Sequence, residues 1–139
     1  VKEAVGIFDL IHSIDSIRLS IEIDRQAAKI KKIQDILLEV KTSPEVSKSG
    51  VLPEEAAELL KQVLQFKNVA VKGLMTIAPL VSSPEESRPY FRRLHELRDK
   101  LTTNDRRLTT LSMGMSQDFE VAIEEGATMV RIGRAIFES

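Results

Sequence analysis

The segment that decides the fold is residues 108–133, with the sequence L-T-T-L-S-M-G-M-S-Q-D-F-E-V-A-I-E-E-G-A-T-M-V-R-I-G. Leu108–Leu111 is short, apolar and β-branched, which is typical of a buried strand, and Met129–Gly133 repeats that pattern. Between the two strands, Ser116 is expected to cap a helix that ends at Gly126. The buried face of this helix is expected to carry Phe119, Ala122 and Ile123. The segment therefore predicts a β-turn-α-β unit.

The rest of the chain continues the same alternation of strands and helices. The pattern predicts strands over Ile7–Ile14, Gln34–Val40 and Val69–Ile77, and helices over Ile17–Ile33, from Pro53, and from Ser83 to about Lys100. The predicted strands are apolar on both faces, which favours a parallel sheet covered by helices. We therefore expect a single α/β domain with five parallel strands and no internal linker.

Composition excludes several classes of protein. The chain has 139 residues, 42% of them hydrophobic, a net charge of −1 and no cysteine. Such a charge gives no strong field toward nucleic acid or an anionic membrane, and no apolar run reaches the roughly 20 residues of a membrane span. Absent thiols fit a reducing compartment. The expectation is a cytoplasmic protein without nucleic-acid or membrane partners, and also without a metal, because His12 and His95 have no ligand partners at metal-binding spacing.

The turn between the predicted last two strands has the features of an anion site. Ser112–Ser116 places Gly114 at its centre, and unpaired backbone N–H groups at a helix start attract anions. Asp118, in the first helical turn, would repel a phosphate that came too close. On these residues alone, a ligand-binding loop and an ordinary βα connection both remain open.

Several motifs together resemble one known family. These are S-M-G-M-S-Q-D-F-E-x-A-I-x-x-G-A-T-x-V-R-I-G at Ser112–Gly133, F-D-L-I-H-S-I-D-S at Phe8–Ser16, S-K-S-G at Ser47–Gly50 and G-L-M-T-I-A-P at Gly73–Pro79. In this order they resemble the pyridoxal-5′-phosphate (PLP) homeostasis proteins of the YggS/PROSC type, a (β/α)₈ TIM barrel similar to the N-terminal domain of alanine racemase. The resemblance implies PLP as cofactor, a non-catalytic carrier or buffer role in vitamin B6 homeostasis, and PLP-dependent apo-enzymes as partners.

The same resemblance implies roles for individual residues. Arg131 is expected to face the pyridine nitrogen, Met75 and Thr76 to line the ring, and His12 to be a hydrogen-bonded residue of the pocket wall. The phosphate is expected to lie among the Ser112 side chain and the backbone amides of Met113, Gly114, Met115, Ser116 and Gly133. No catalytic residue is expected.

Set against the family, the chain matches the C-terminal part of the barrel. A complete barrel has roughly 250 residues, and the predicted strands correspond to the fourth to eighth. Residues 1–139 are thus expected to form one partial barrel domain, with the first βα units and the Schiff-base lysine upstream of Val1. Lys48 is expected to be a solvated loop residue rather than a replacement for that lysine. An open sheet would expose two edges and an apolar face, so self-association is expected.

Three alternative functions remain open. A PLP-dependent amino-acid racemase would need acid/base groups on both faces of the cofactor, usually Lys and Tyr, and the single tyrosine, Tyr90, lies on a predicted surface helix. A phosphosugar-binding barrel enzyme would need carboxylates at strand ends, for which Asp15 and Glu39 are the candidates. A purely structural role without a ligand is the third.

Overall fold

A computed structural model describes residues 2–7, 9–44, 50–79, 81–103 and 107–131. Within them, five parallel strands form one sheet in chain order: β1 (Leu10–Ile14), β2 (Gln34–Glu39), β3 (Val69–Met75), β4 (Thr110–Met115) and β5 (Met129–Arg131). The helices are α1 (Lys2–Ile7), α2 (Ile17–Lys29), α3 (Pro53–Val63), α4 (Arg88–Leu101) and α5 (Phe119–Glu124), with a 3₁₀ turn at Pro84–Ser87 before α4. The predicted α/β class and the five-stranded parallel sheet are confirmed.

The two faces of the sheet differ in composition. One face packs against the helices: Ile36, Leu38, Leu74 and Leu111 belong to the same buried apolar cluster as Ile23, Leu60 and Leu94 of the helices. Because side chains alternate along a strand, their neighbours Leu37, Glu39, Met75 and Ser112 point to the opposite face. These residues are also buried, but only part of this second set is apolar.

The sheet is strongly curved, as a barrel requires. In a flat sheet β1 and β4 would lie three strand spacings apart, about 14 Å. The Nδ1 atom of His12 on β1 is nevertheless 3.3 Å from Oγ of Ser112 on β4. The face that carries these two side chains is therefore concave, and it corresponds to the interior of a partial (β/α)₈ barrel.

The structure corrects the predicted boundaries around the central turn. The strand predicted at Leu108–Leu111 runs from Thr110 to Met115, so most of the predicted turn at Ser112–Ser116 is strand. The reason is pairing on both sides: Leu111 and Ser112 pair with β3, and Met115 pairs with Arg131 of β5. The helix starts later, at Phe119, with Asp118 rather than Ser116 at its cap. Gly126 does end the helix, with φ +102°.

Other expected elements are shifted by shorter distances. A helix, α1, covers Lys2–Ile7, and the strand predicted from Ile7 begins only at Leu10. Helix α2 ends at Lys29 and is followed by Lys31 in the left-handed region, with φ 53°. On α5, Ile123 was expected to be buried but is 52% exposed, because the short helix packs through Val121 and Ala122.

Two predictions fall outside the described residues: the structure of the loop that contains Lys48, and the contribution of Gly133.

Candidate functional site

Polar side chains collect on the concave face where the strands end. His12 lies on β1, Ser112 on β4 and Arg131 at the last residue of β5, while Thr76 directly follows β3. Met75, the last residue of β3, is 2% exposed on the same face. The carboxyl ends of parallel barrel strands meet at one rim, which is where barrel proteins place their ligand sites.

Arg131 is the best-defined member of this group. Its Nη1 donates to Oγ of Ser112 at 2.9 Å, and its Nη2 donates to the carbonyl oxygen of Thr76 at 3.0 Å. The backbone N–H of Thr76 in turn donates to the carbonyl oxygen of Ser112 at 3.1 Å. The three residues form a closed ring of hydrogen bonds, so two strands fix the orientation of a guanidinium carried by a third.

The second partner of Ser112 is a neutral histidine. Burial, and next the nearby Arg131 charge, lower the pKa of His12 below its usual value. A neutral imidazole can accept at Nδ1, and the Ser112 hydroxyl, which already accepts from Arg131, retains one proton to donate. The consistent arrangement is Arg131 donating to Ser112 and Ser112 donating to His12.

Two carboxylates act on Arg131 at longer range. Burial lowers the pKa of the Arg131 guanidinium, and Glu39 and Asp118 oppose this effect. Because a guanidinium is not deprotonated in proteins, Arg131 stays charged. Glu39 itself is 4% exposed. The concave face thus holds a cation whose charge is partly balanced by the chain's own carboxylates.

The loop after β4 is already hydrogen-bonded in this structure. The N–H of Met115 donates to Oδ1 of Asp118 at 2.8 Å, and the N–H of Asp118 donates to the Met115 carbonyl at 3.1 Å. The Met113 side chain is buried in the helix-facing core, so only its backbone could serve a ligand. Gly114 has φ +102°, and a Cβ there would lie 2.6 Å from Cβ of Ala122. The role of this loop in phosphate binding stays a prediction.

A hollow of about 280 Å³ adjoins the same loop. One wall is formed by the segment between β3 and α4, and the other by the residues after β4: Met115, Gln117 and Asp118. The loop after β4 therefore has open space on the side that faces the segment between β3 and α4.

The sequence prediction missed one contact of the site, and it considered Glu39 only as a carboxylate for the phosphosugar alternative. Thr42 meets Thr76 behind Arg131, with 3.0 Å between the Oγ1 atoms. Glu39 faces inward from β2 toward Arg131. A signal for Glu39 was present, since it is the one charged residue in the apolar run I-L-L-E-V. The Thr42–Thr76 pairing had none, because it joins residues 34 positions apart.

The carboxylate of Asp15 has a structural role in this chain. Its Oδ2 accepts from the backbone N–H of Gly50 at 2.9 Å, which ties the end of β1 to the segment before α3. The phosphosugar alternative needed this side chain in the barrel mouth, so it loses one of its two candidates. The described residues contain no group of three His, Cys, Asp or Glu side chains arranged for a metal ion. No helix within the described ranges is long and apolar enough to cross a membrane.

Comparison with known proteins gives a family match over the whole chain. The sequence-family model of the alanine racemase N-terminal domain matches residues 1–139.

Curated relatives share this similarity. A pyridoxal phosphate homeostasis protein of Aquifex aeolicus (strain VF5) is 52% identical over 138 residues, which cover 99% of this chain and 60% of that protein. A protein of the same name from Vibrio alginolyticus is 41% identical over 131 residues, 94% of this chain and 56% of its own length. The chain thus spans about 60% of the length of these relatives. The resemblance predicted from the motifs is confirmed.

Solved structures agree with the curated relatives. PipY of Synechococcus elongatus PCC7942, solved without PLP, superimposes with a TM-score of 0.90 at 38% identity, covering 98% of this chain and 64% of PipY. The structure of PipY with PLP bound gives a TM-score of 0.85 at 37% identity, with the same coverage. Alanine racemase of Clostridium difficile 630 in complex with cycloserine, at 16% identity and a TM-score of 0.73 over 96% of this chain and 38% of the enzyme, shares the fold. The alanine-racemase type of partial barrel is therefore confirmed.

Proposed function

Because this chain belongs to the family of the alanine racemase N-terminal domain, we propose that it binds pyridoxal 5′-phosphate and acts in PLP homeostasis as a non-catalytic carrier or buffer. The observation that carries the proposal is Arg131, held by Ser112 and Thr76 on the concave face. The PLP-bound structure of the similar PipY supports it.

The chemistry of the donor set fits the proposed cofactor. An arginine offers only hydrogen-bond donors and a fixed positive charge, which suits the lone pair of a pyridine nitrogen and the negative charge of PLP. Met75, buried on the same face, supplies an apolar surface for the ring. Ser112 and the backbone amides of residues 113–116, together with Gly133, are proposed to hold the phosphate. Use of the Met115 N–H would require Asp118 to give up its 2.8 Å hydrogen bond.

The site is better suited to holding the cofactor than to catalysis. Bound PLP supplies an electron sink, which is strongest when its ring nitrogen is protonated. Arg131 donates a hydrogen bond without transferring a proton, so it does not provide that protonation. His12 is turned to Ser112 through Nδ1 at 3.3 Å. A ring nitrogen that accepts from Arg131 therefore stays unprotonated, which suits a carrier better than a catalyst.

The racemase alternative gains no support from the position of the tyrosine. Tyr90 lies on α4, and the guanidinium of Arg93 sits 5.5 Å from its ring centroid. Helix α4 covers the outer face of the sheet, away from His12, Ser112 and Arg131. The tyrosine therefore has no place beside a cofactor on the concave face.

The wider setting completes the proposal. Residues 1–139 act as the C-terminal portion of a (β/α)₈ barrel domain, and the Schiff-base lysine lies on a strand outside this chain. The natural protein works in the cytoplasm and passes PLP to PLP-dependent apo-enzymes. The greater length of the curated relatives supports this assignment of the chain to one part of a barrel.

The test is a PLP titration of the natural full-length protein, followed by cofactor absorbance after gel filtration. Replacing Arg131 by Gln removes the charge but retains N–H donors, and Ser112→Ala removes the hydroxyl that Arg131 contacts. A hydrogen bond to a charged group contributes about 1.5–3 kcal/mol, so each change should weaken PLP binding roughly 10- to 100-fold.

Arg25→Gln is the matched control, since Arg25 is an exposed residue of α2 paired with Glu22. It should bind PLP as the unmodified protein does. Unchanged PLP binding in both the Arg131 and the Ser112 variants would remove these residues from the site. Racemisation of alanine by the purified protein, lost in the Arg131 variant, would overturn the non-catalytic assignment.

A further inference from the structure

Two buried hydroxyl groups lie directly behind Arg131. Thr42 is 5% exposed and Thr76 is 1% exposed, and their Oγ1 atoms are 3.0 Å apart. Thr76 follows β3 and Thr42 lies just beyond β2, so the contact joins neighbouring strands at the rim that carries the candidate site. Buried hydroxyls of this kind are costly unless each is hydrogen-bonded.

The direction of the Thr42–Thr76 hydrogen bond follows from a third contact. Oγ1 of Thr76 donates its single proton to the carbonyl oxygen of Val40 at 2.7 Å. Since that proton is used, the Thr76 oxygen can only accept from Thr42. The two hydroxyls therefore form an ordered chain: Thr42 donates to Thr76, and Thr76 donates to Val40.

The same threonine holds Arg131 through its backbone. The Thr76 carbonyl accepts from Nη2 of Arg131 at 3.0 Å, and the Thr76 N–H donates to the Ser112 carbonyl at 3.1 Å. Thr76 is thus attached at three points, its side chain to the segment directly after β2 and its backbone to β4 and β5. The position of its carbonyl, and with it the direction of the guanidinium, depends on all three.

The hydrogen-bonded series continues to the surface of the molecule. The carbonyl oxygen of Thr42 accepts from Nη1 of Arg93, an α4 residue, at 2.9 Å. Arg93, Thr42, Thr76 and Arg131 therefore form an unbroken sequence from the helix layer to the concave face. Arg93 stabilises the segment on which the Thr42 hydroxyl depends.

We propose that Thr76 and Thr42 are positioning residues for Arg131: the hydroxyl of Thr76, fixed by Thr42 and Val40, sets the carbonyl that aims the guanidinium at the cofactor ring. Neither threonine needs to touch the ligand for this role. The inference rests on the proposed function for its ligand, and on the hydrogen bonds of this chain for its geometry.

The decisive pair of variants is Thr76→Val and Thr76→Ser in the natural full-length protein. Valine has the shape of threonine without the hydroxyl, whereas serine retains the hydroxyl. Thr76→Val should weaken PLP binding on the order of tenfold and shift the absorbance maximum of the bound cofactor, because the contact of Arg131 with the ring nitrogen changes. Thr76→Ser should retain both the PLP affinity and the absorbance maximum of the unmodified protein. Thr42→Val should act in the same direction with a smaller effect, since Thr76 then keeps its hydrogen bond to Val40. If Thr76→Val fails to fold, Thr42→Val provides the test in its place.

A double-variant cycle distinguishes positioning from a general loss of structure. If Thr76 acts through Arg131, adding Thr76→Val to Arg131→Gln should cause no further loss of PLP affinity. Additive losses, or a folded Thr76→Val protein with unchanged affinity and spectrum, would overturn the inference.

A measurement without PLP separates this inference from the proposed function. Crystal structures of the Thr76→Val and Thr76→Ser proteins should show the Arg131 guanidinium displaced from the residue 76 carbonyl in the first and retained in the second. An unmoved guanidinium in the valine variant would refute the positioning role, whether or not PLP binds. Absence of PLP binding by the unmodified protein would instead refute the proposed function alone.

Discussion

At the scale of single residues, the concave face brings a cation and a neutral imidazole to the same hydroxyl. His12 and Arg131 both contact Oγ of Ser112, so protonation of His12 would place two positive charges around one serine. Burial and this neighbouring charge are the reasons that the pKa of His12 is lowered in the folded protein.

The lowered pKa of His12 makes the free energy of unfolding depend on pH. In the unfolded chain the pKa of a histidine is about 6.5. Between that value and the lower pKa in the folded protein, the unfolded state binds more protons, so stability falls as the pH falls. The contribution is fully present above about 6.5 and is lost as the pH drops through the lowered value.

We therefore expect the urea midpoint of the unmodified protein to fall between pH 7.5 and pH 5.5, and to fall less in the His12→Gln variant. The comparison isolates His12, because the carboxylates keep the same titration in both proteins. Equal pH dependence in the two would show that the His12 pKa is not lowered by folding.

Much of the candidate site could be predicted at this scale, and some could not. Ser112 and Arg131 were expected near each other because the predicted strands placed both at the carboxyl ends of adjacent strands. The contact of His12 with Ser112 spans 100 positions of sequence and depends on the curvature of the sheet, which local patterns do not specify. The Thr42–Thr76 pair escaped prediction for the same reason.

At the scale of elements, the connection from α5 to β5 places Arg131. Gly126 ends α5 with φ +102°, in a region that residues with a side chain rarely adopt. A Cβ at this position would lie 2.5 Å from Nδ1 of His95, and that nitrogen contacts the Glu125 carbonyl at 2.7 Å. The end of α5 therefore packs against His95 of α4, and this contact fixes the position from which the chain continues to β5.

Gly126→Ala should destabilise the protein by about 1–3 kcal/mol, because it adds backbone strain and displaces the His95 ring. Gly6→Ala is the matched control: Gly6 lies in α1 and has nothing within 4 Å of an added Cβ, so its replacement should be neutral or stabilising by up to about 1 kcal/mol. Both values come from urea unfolding at neutral pH. Equal effects of the two replacements would contradict the assigned role of Gly126.

The sequence predicted the elements better than their boundaries. The stop at Gly126 and the start of α3 at Pro53 were predicted from local chemistry that acts within one turn. The extension of β4 to Met115 was not predicted, because it depends on pairing with β3 near Met75 and with β5 at Arg131. Gly73 shows the same dependence, since a Cβ there would lie 1.8 Å from the Thr110 carbonyl oxygen.

At the scale of the whole molecule, the sheet has two free sides among the described residues. β1 pairs only with β2, and β5 only with β4, in the strand order of the sheet. An apolar side chain is exposed at one of these edges: Met129 on β5 is 37% exposed. Unpaired strand edges with apolar neighbours favour association with another chain.

The 139-residue chain on its own is therefore expected to self-associate. Sedimentation velocity should give a mass that rises with concentration above the 15.6 kDa of one chain. Met129→Lys places a charge on the β5 edge and should reduce this association. A concentration-independent mass of one chain would rule self-association out.

The pairing order also decides which parts of the sheet open together. β2, β3 and β4 have a strand on each side, whereas β1 and β5 are held on one side only, so local unfolding starts at the margins and reaches the centre last. Met75 belongs to the persistent centre, while His12 and Arg131 belong to opposite margins. A molecule bound across the concave face would link those two margins to the centre. Its binding should therefore slow amide hydrogen exchange in β1 and β5.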